Sequence, residues 1–378
     1  MVGAGALIIF GLHRLRDFVK EISRVIALYD ELKAAAVPAA LAVVVNVEQS
    51  SYRRIGARLL VGADGRYVGG ISGGCLEDDA LRRARRAIHT GKATLQTYDT
   101  REGADREIGI GLGCNGRISV LFVPLLPDDP RNEVERLRSY VTTRVPVLLV
   151  RPLGSAGSLP RPELYTTAEL DRLAERLGLD PGALQQAAAA QLAARRSRVI
   201  TLAGPDQAPQ RLLCELLHPV PHLVVTGTNY DIPPVVGAAR LLGWRTTVVG
   251  HRRKFTRALR ADRLLDYDEV DRVAVDAATA VALMSHDYDR DREMLLHFAP
   301  RQPAYLGLLG PRKRALKLVA EPGVPTDLLQ RPQVFAPVGL DVGAETPEEI
   351  AASLVAEILM VLRGRAGAPL RRRPGSIH

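Results

Sequence analysis

Aromatic residues make up only 4% of the chain, with a single tryptophan. Proteins that hold single-stranded nucleic acid need a series of stacking platforms, so this scarcity argues against a nucleic-acid partner. Cysteine is scarce too, with three residues and no C-x-x-C pair. Three thiols cannot all pair, so no disulfide framework is expected, and a structural zinc site has no support. No apolar run approaches the roughly 18 residues of a membrane span. The apolar start MVGAGALIIF lacks a positive n-region and leads into a charged amphipathic stretch, not a cleavage site. These absences predict a soluble, cytoplasmic protein that works without nucleic acid or membrane.

What is present is ordinary for a globular protein: 47% hydrophobic and 25% charged residues. At 378 residues the chain is too long for one compact core, so two or more domains are expected. The net charge is +9, with short basic clusters at RRARR (82–86), HRRK (251–254), PRKR (311–314) and RRR (371–373). A dispersed positive balance with few aromatics suits an anionic ligand or an acidic partner surface.

The expected fold class is α/β, with an N-terminal α+β domain (1–151), a connector with small helices (152–220) and a C-terminal Rossmann-like domain (221–378). In the first part, 14–35 reads as a helix with Phe18, Ile22, Ile26 and Tyr29 on one stripe, and AALAVVVNV (39–47) as a buried strand. Short strands follow near 58–62, 67–71, 94–98 and 117–123, with a helix over 76–89. The Gly/Pro/Ser stretch near 152 and the alanine-rich LQQAAAAQLAARRSR are read as connecting chain. After Pro221 strands alternate with helices, and each strand is a continuous apolar run, which predicts a parallel, doubly wound sheet. Thr346, Pro347 and Glu349 form a capping box for a last helix with Ile350, Leu354, Val355, Ile358 and Leu362 on its apolar face.

In this last part, the turn after the first strand is where a Rossmann domain holds a pyrophosphate. The G-x-G-x-x-G positions are Gly227, Asn229 and Ile232, so two of three glycines are missing. The second strand ends in Gly250, His251, Arg252 and Arg253 where an acid for the ribose is usual. Both departures argue against NAD(P). SHDYD (285–289) sets Ser285, His286 and Asp287 at a strand end, as ligand contacts or as helix caps. GLLGPRKR (307–314) sets Gly310, Arg312 and Lys313 at a helix start, where cations oppose the dipole. An anion there and a solvated charged turn are both open readings.

Two cysteines sit in glycine-rich loops, Cys75 in ISGGCLED (71–78) and Cys114 in GLGCNG (111–116). Gly73 and Gly74 allow close approach of a ligand, and the helix that follows would turn its positive end to the Cys75 sulfur. That setting favours the thiolate, a nucleophile and soft-metal ligand. The plainer reading makes both cysteines small packing residues in tight turns. Cys214, in RLLCELL, reads as core.

Five segments resemble the XdhC/CoxI family: 49–77, GLGCNGRISV (111–120), SHDYDRD (285–291), AYLGLLGPRKR (304–314) and PVGLDVGAETPEEIAASLVAEI (337–358). These are accessory proteins of molybdenum hydroxylases such as xanthine dehydrogenase and carbon monoxide dehydrogenase. The resemblance implies a cytoplasmic chaperone, without turnover, that binds molybdenum cofactor (molybdopterin), protects it and delivers it to the apo-enzyme. It also implies a cysteine desulfurase as sulfur donor and a homodimer. Carried over, Cys75 with Gly73 and Gly74, and Cys114 with Gly113, contact the cofactor, with Cys75 as a thiolate to molybdenum. Arg54 and Arg58 match the segment after the first strand. In the C-terminal half, Gly227, His251, Arg252, His286, Asp287, Gly310, Arg312 and Lys313 are the candidate contacts for a phosphate or nucleotide end. The other readings are a nicotinamide-dependent oxidoreductase and a thiol-based redox protein that joins Cys75 to Cys114.

Overall fold

The computed structural model describes residues 20–49, 51–99, 116–130, 132–154 and 163–372. They divide into two compact units, one spanning Glu21–Pro219 and one that begins at Val220.

The first unit opens with α1 (Lys20–Ala34) and β1 (Ala39–Gln49). The buried stripe of α1 is Val25, Tyr29 and Leu32, at the i, i+4, i+7 spacing of one helical face. Ile22 and Ile26 are only half-buried, so the expected stripe is rotated, and Phe18 lies outside the described residues. Next come β2 (Arg58–Gly62), β3 (Tyr67–Gly69), α2 (Glu77–Thr90), β4 (Thr94–Asp99) and β5 (Gly116–Leu125). Their antiparallel sheet runs β3-β2-β1-β5-β4. Helix α2 lays Ala80, Ala84 and Ala87 on it, in one core cluster with Ala40, Ala42 and Val44 of β1. Alanines at this spacing let helix and sheet approach closely.

The unit continues with α3 (Glu133–Val141), β6 (Val147–Gly154), β7 (Tyr165–Thr166), α4 (Leu170–Leu177), α5 (Pro181–Ala194), β8 (Arg198–Ala203) and β9 (Pro209–Leu217). Here the structure differs from the expected connector. The helices are present, but four strands join as an antiparallel sheet ordered β7-β6-β9-β8 with its own core, Leu148, Val150, Leu173, Leu184, Leu212 and Cys214 among it.

The second unit alternates strand and helix: β10 (His222–Thr226), α6 (Ile232–Leu241), β11 (Arg245–Val249), β12 (Arg263–Leu265), β13 (Thr279–Leu283), α7 (Tyr288–Phe298), β14 (Tyr305–Leu308), α8 (Arg312–Val319), β15 (Val334–Phe335) and α9 (Pro347–Leu362). The sheet is parallel throughout, ordered β12-β11-β10-β13-β14-β15. Read by chain position this is 3-2-1-4-5-6, the doubly wound Rossmann order, whose switch point lies between β10 and β13. Alternate strand residues face two cores. Val224, Val281 and Leu306 meet α7 and α8 on one side. Leu223, Val225 and Ala282 meet α6 and α9 on the other. Thr346 and Glu349 form the expected capping box; Leu354, Val355 and Ile358 are buried, and Tyr305 donates to the buried Glu357 at 2.6 Å.

A buried ion cluster ties the two sheets of the first unit together. Arg58 on β2 donates to both carboxylate oxygens of Glu215 on β9 at 2.8 and 2.7 Å, and to Glu133 of α3 at 2.9 Å. Arg151 on β6 donates to the other oxygen of Glu133. All four side chains are at most 5% exposed. Burial alone lowers an arginine pKa, but Glu215 and Glu133 outweigh it and raise that of Arg58. Burial likewise works to raise the Glu133 carboxyl, and Arg151 and Arg58 hold it below its usual value. Removing one partner of such a cluster strands a buried charge, at a cost of about 3–5 kcal/mol. Arg58→Met is therefore expected to destabilise the first unit by about that much in urea unfolding, and adding Glu215→Leu to restore part of it. A loss below about 1 kcal/mol for Arg58→Met would contradict this reading.

Candidate functional site

In the first unit, the GGC loop runs from the end of β3 to the start of α2. A single carboxylate organises it. Glu77 accepts from the backbone amides of Ile71, Ser72 and Leu76 at 3.2, 2.8 and 3.2 Å, and from the Ser72 hydroxyl. The Ser72 oxygen in turn accepts from the amides of Gly74 and Leu76 at 3.2 and 3.1 Å, and the Cys75 thiol lies 3.7 Å from it. Burial acts to raise the Glu77 carboxyl, but the Ser72 hydroxyl and the loop amides overcome it and lower its pKa. Cys75 itself is exposed. Gly74 has a φ of 111°, and a Cβ added there would meet nothing within 4 Å. Beside the thiol there is thus open space that a side chain at 74 would narrow. A Cβ on Gly73 would lie 3.1 Å from the ring of Tyr52, which is itself exposed.

The positive end of the helix after Cys75 does not face the thiol unopposed. Helix α2 begins at Glu77, and Glu77, Asp78 and Asp79 already complement its positive end. Arg54 is exposed on the turn before β2. Arg58, expected as a cofactor contact, is instead a buried structural residue: its guanidinium also donates to the Gly56 carbonyl at 2.7 Å, completing four hydrogen bonds inside the unit. Gly113 and Cys114 lie outside the described residues. Cys214 sits in the core, where burial pushes its thiol up to about 12.

In the second unit, the candidates gather at the carboxyl ends of the parallel strands. Gly227 follows β10 with a φ of 121°, and a Cβ there would come 2.5 Å from the Met284 carbonyl oxygen. The glycine is required by the backbone that leaves β13. Two side chains stitch this turn to the one after β13. Asn229 donates to the Ser285 carbonyl at 2.9 Å, and Asp231 pairs with Nε2 of His286 at 2.7 Å. They span the switch point where a dinucleotide would enter. His286 holds a φ of 60°. Asp287 caps α7 by accepting from the amides of Asp289 and Arg290. Ser285 donates to the buried Asp291 at 2.5 Å, and Arg314 donates to the other oxygen of Asp291 at 2.8 Å.

One strand over, a cavity of about 130 Å³ is lined by Met284, His286, Leu309, Gly310, Pro311 and Arg314. Arg312 and Lys313 stand exposed on the first turn of α8. His251 and Arg252 do not line this cavity. The His251 ring packs on Tyr267 with centroids 5.0 Å apart, and Arg252 is bound to Glu269 at 2.7 Å. Sequence reasoning missed Ser72, Glu77, Asp231, Asp291 and Arg314. Its available signal was the recurrence of a serine followed, in the next helical turn, by an acid. Among the described residues, no group of three or more His, Cys, Asp or Glu side chains is placed to hold a metal ion.

An exposed thiol loop in one unit and a Rossmann sheet without its glycine fingerprint in the other define a two-part α/β protein with an incomplete dinucleotide turn. The chain belongs to the XdhC and CoxI family. The model of that name matches residues 32–99, which hold the Cys75 loop, and the model described as the XdhC Rossmann domain matches 223–358. A Bacillus subtilis protein, named as a probable xanthine dehydrogenase subunit, is 30% identical over 332 residues, covering 85% of this chain and 92% of its own. The Escherichia coli molybdenum cofactor insertion chaperone PaoD is 26% identical over 328 residues, covering 85% and 83%. A crystal structure described as a xanthine dehydrogenase from Bacillus halodurans superposes with a TM-score of 0.69 at 26% identity, covering 92% of this chain and 98% of that one.

The Glu77 clamp gives a sign for acid sensitivity. Its folded pKa is depressed, so its contribution is complete above the unfolded value, 4.5, and is lost as pH falls through the lower folded value. Glu77→Gln is expected to cost about 1–2 kcal/mol at pH 7 and to speed hydrogen exchange at the amides of Ile71, Ser72 and Leu76. Unchanged exchange at all three amides would contradict the clamp.

Proposed function

We propose that this chain is an accessory protein that matures a molybdenum hydroxylase of the xanthine dehydrogenase or carbon monoxide dehydrogenase type. It binds the molybdenum cofactor as cargo, protects it and delivers it to the apo-enzyme, acting as a chaperone without turnover. The observation that carries this reading is the exposed Cys75 thiol on a loop ordered from within by Glu77 and left open beside Gly74. A thiolate is a soft ligand suited to such a metal, and the bare flank at Gly74 leaves room for a bulky pterin. The name of the PaoD relative supports the same reading. A cysteine desulfurase and a second copy of the chain are its further partners, and the cytoplasm its compartment.

The strand order favours a second reading, a nicotinamide-dependent oxidoreductase. Against it stand Asn229 and Ile232 at two glycine positions and the stitched turn at the switch point.

The test is retention of molybdenum cofactor by purified wild type and Cys75→Ala, scored as bound metal and as released pterin. Wild type is expected to retain both and the variant to lose at least about tenfold in affinity, the loss that follows even when only a partner supporting a metal ligand is removed. Equal retention would remove Cys75 from the site, and binding of nicotinamide nucleotide in place of pterin by the wild type would overturn the chaperone reading.

A further inference from the structure

We propose that the crevice between the ends of β13 and β14 binds a single phosphate group of an ester ligand, gripped by His286 and Arg314 and taken up together with a proton. This narrows the expectation of an anion at this half to one place, and it rests on the chaperone reading only if the ester is the cofactor's own.

Size comes first. Ligand sites that enclose whole small molecules run to about 300–1,000 Å³, whereas this cavity holds about 130 Å³. A phosphate fits inside, and the open side of the crevice leaves the rest of an ester ligand outside it. The walls supply the charge. Arg314 commits one guanidinium donor to Asp291, and its other donors have no partner among the described residues. The amides of Arg312 and Lys313 open α8 without intrahelical acceptors, while those of Arg314 and Ala315 turn back to Pro311. Arg312 and Lys313, which follow the lining residue Pro311, add two exposed cations on the first turn of α8.

The proton linkage follows from how His286 is held. It is a non-glycine residue at a φ of 60°, a conformation that persists only where the surroundings fix it. Asp231 does that fixing through Nε2, and Asp231 is 7% exposed with its Oδ1 unpartnered among the described residues. An ionised carboxylate only accepts, so Nε2 carries the hydrogen. In the neutral ring Nδ1 then bears a lone pair, which repels an anion. Only on gaining a second proton does Nδ1 become a donor. The remaining acids nearby are occupied. Asp287 caps α7, and Asp291 is satisfied by Ser285 and Arg314. Where the ring is neutral, uptake of the anion thus brings one proton with it, to Nδ1 of His286.

Sulfate is the probe, because it keeps both charges across the range in which an imidazole titrates, about pH 5 to 8. Calorimetric titration of the full chain is expected to show sulfate binding that tightens about tenfold from pH 8 to 5.5, a coupling of ordinary size. His286→Asn keeps the left-handed backbone accessible but removes the proton, so the pH dependence should vanish; Arg314→Met should weaken binding about tenfold at both pH values. In Asp231→Asn the amide can donate to Nε2, which leaves Nδ1–H in the neutral ring, and the pH dependence should flatten. A parallel titration with 5′-CMP and inorganic phosphate distinguishes sources: tighter 5′-CMP assigns a nucleotide, equal affinity a phosphate end such as a pterin's. Absence of sulfate binding, or binding unchanged in folded His286→Asn and Arg314→Met, would overturn the proposal. Cofactor retention at Cys75 is scored separately, so either idea can fail alone.

Discussion

Arg58 and Glu215 face each other deep inside the first unit, 2.7 Å apart with their side chains 3% and 5% exposed. Everything around them is arranged so that neither is left alone. Glu133 bridges Arg58 to Arg151, so β2, β6, β9 and α3 are fixed to one another by groups that cannot be separated cheaply. Gly56 is a glycine because a Cβ there would stand 2.4 Å from a Glu215 oxygen. The Arg58 carbonyl accepts from the Gly70 amide at 2.8 Å, and a Cβ on Gly69 would come 2.2 Å from it. The chain that enters the Cys75 loop therefore leaves directly from the residue that anchors the cluster. The loop's stem owes its place to charge pairing in the interior.

The same residues explain what the sequence conceals. Four strands of the second unit, β10, β11, β13 and β14, are legible because each carries a β-branched or apolar run, as in HLVVTG and AVALMS, whereas the short β12 and β15 give no such run and are not legible. The strands β6 and β9 carry Arg151 and Glu215 in the middle of VLLVRPLG and PQRLLCELL. A charge inside a strand erases its periodicity unless its partner is known, and those partners lie 18 and 157 residues away. Arg58 misleads for the same reason: next to a glycine turn, an arginine reads as a surface contact. The Cys75 loop was legible through its glycines, which record backbone shape. Its clamp was not, because Glu77 looks like any first-turn acid.

The Rossmann half shows the opposite case, where topology is plain and the expected chemistry is not. Strand order, doubly wound helices and the capping box of α9 follow from local pattern. The missing glycines at 229 and 232 signal that the turn after β10 is used differently. Asn229 and Asp231 reach across to Ser285 and His286, so polar side chains fill the position where a pyrophosphate backbone contact would be. The opening moves one strand along, to the side of β14.

Both candidate loops are built by one device, although they stand on unrelated sheets. A serine at the end of a strand segment gives its hydroxyl to an acid in the first turns of the next helix: Ser72 to Glu77, Ser285 to Asp291. In each, the acid also accepts the serine's own backbone amide, at 2.8 and 3.2 Å. A loop closed in this way satisfies its polar backbone from inside, where no ligand is needed to complete it. The group between serine and acid, Cys75 in one and His286 in the other, is then pushed outward, more than half of the imidazole exposed and the thiol likewise turned to solvent. A rigid backbone and an outward-turned side chain arise from the same hydrogen bonds, His286 being steadied in addition by Asp231. That combination is what a site needs if its reactive group is to meet a large ligand without first paying to order the loop that presents it.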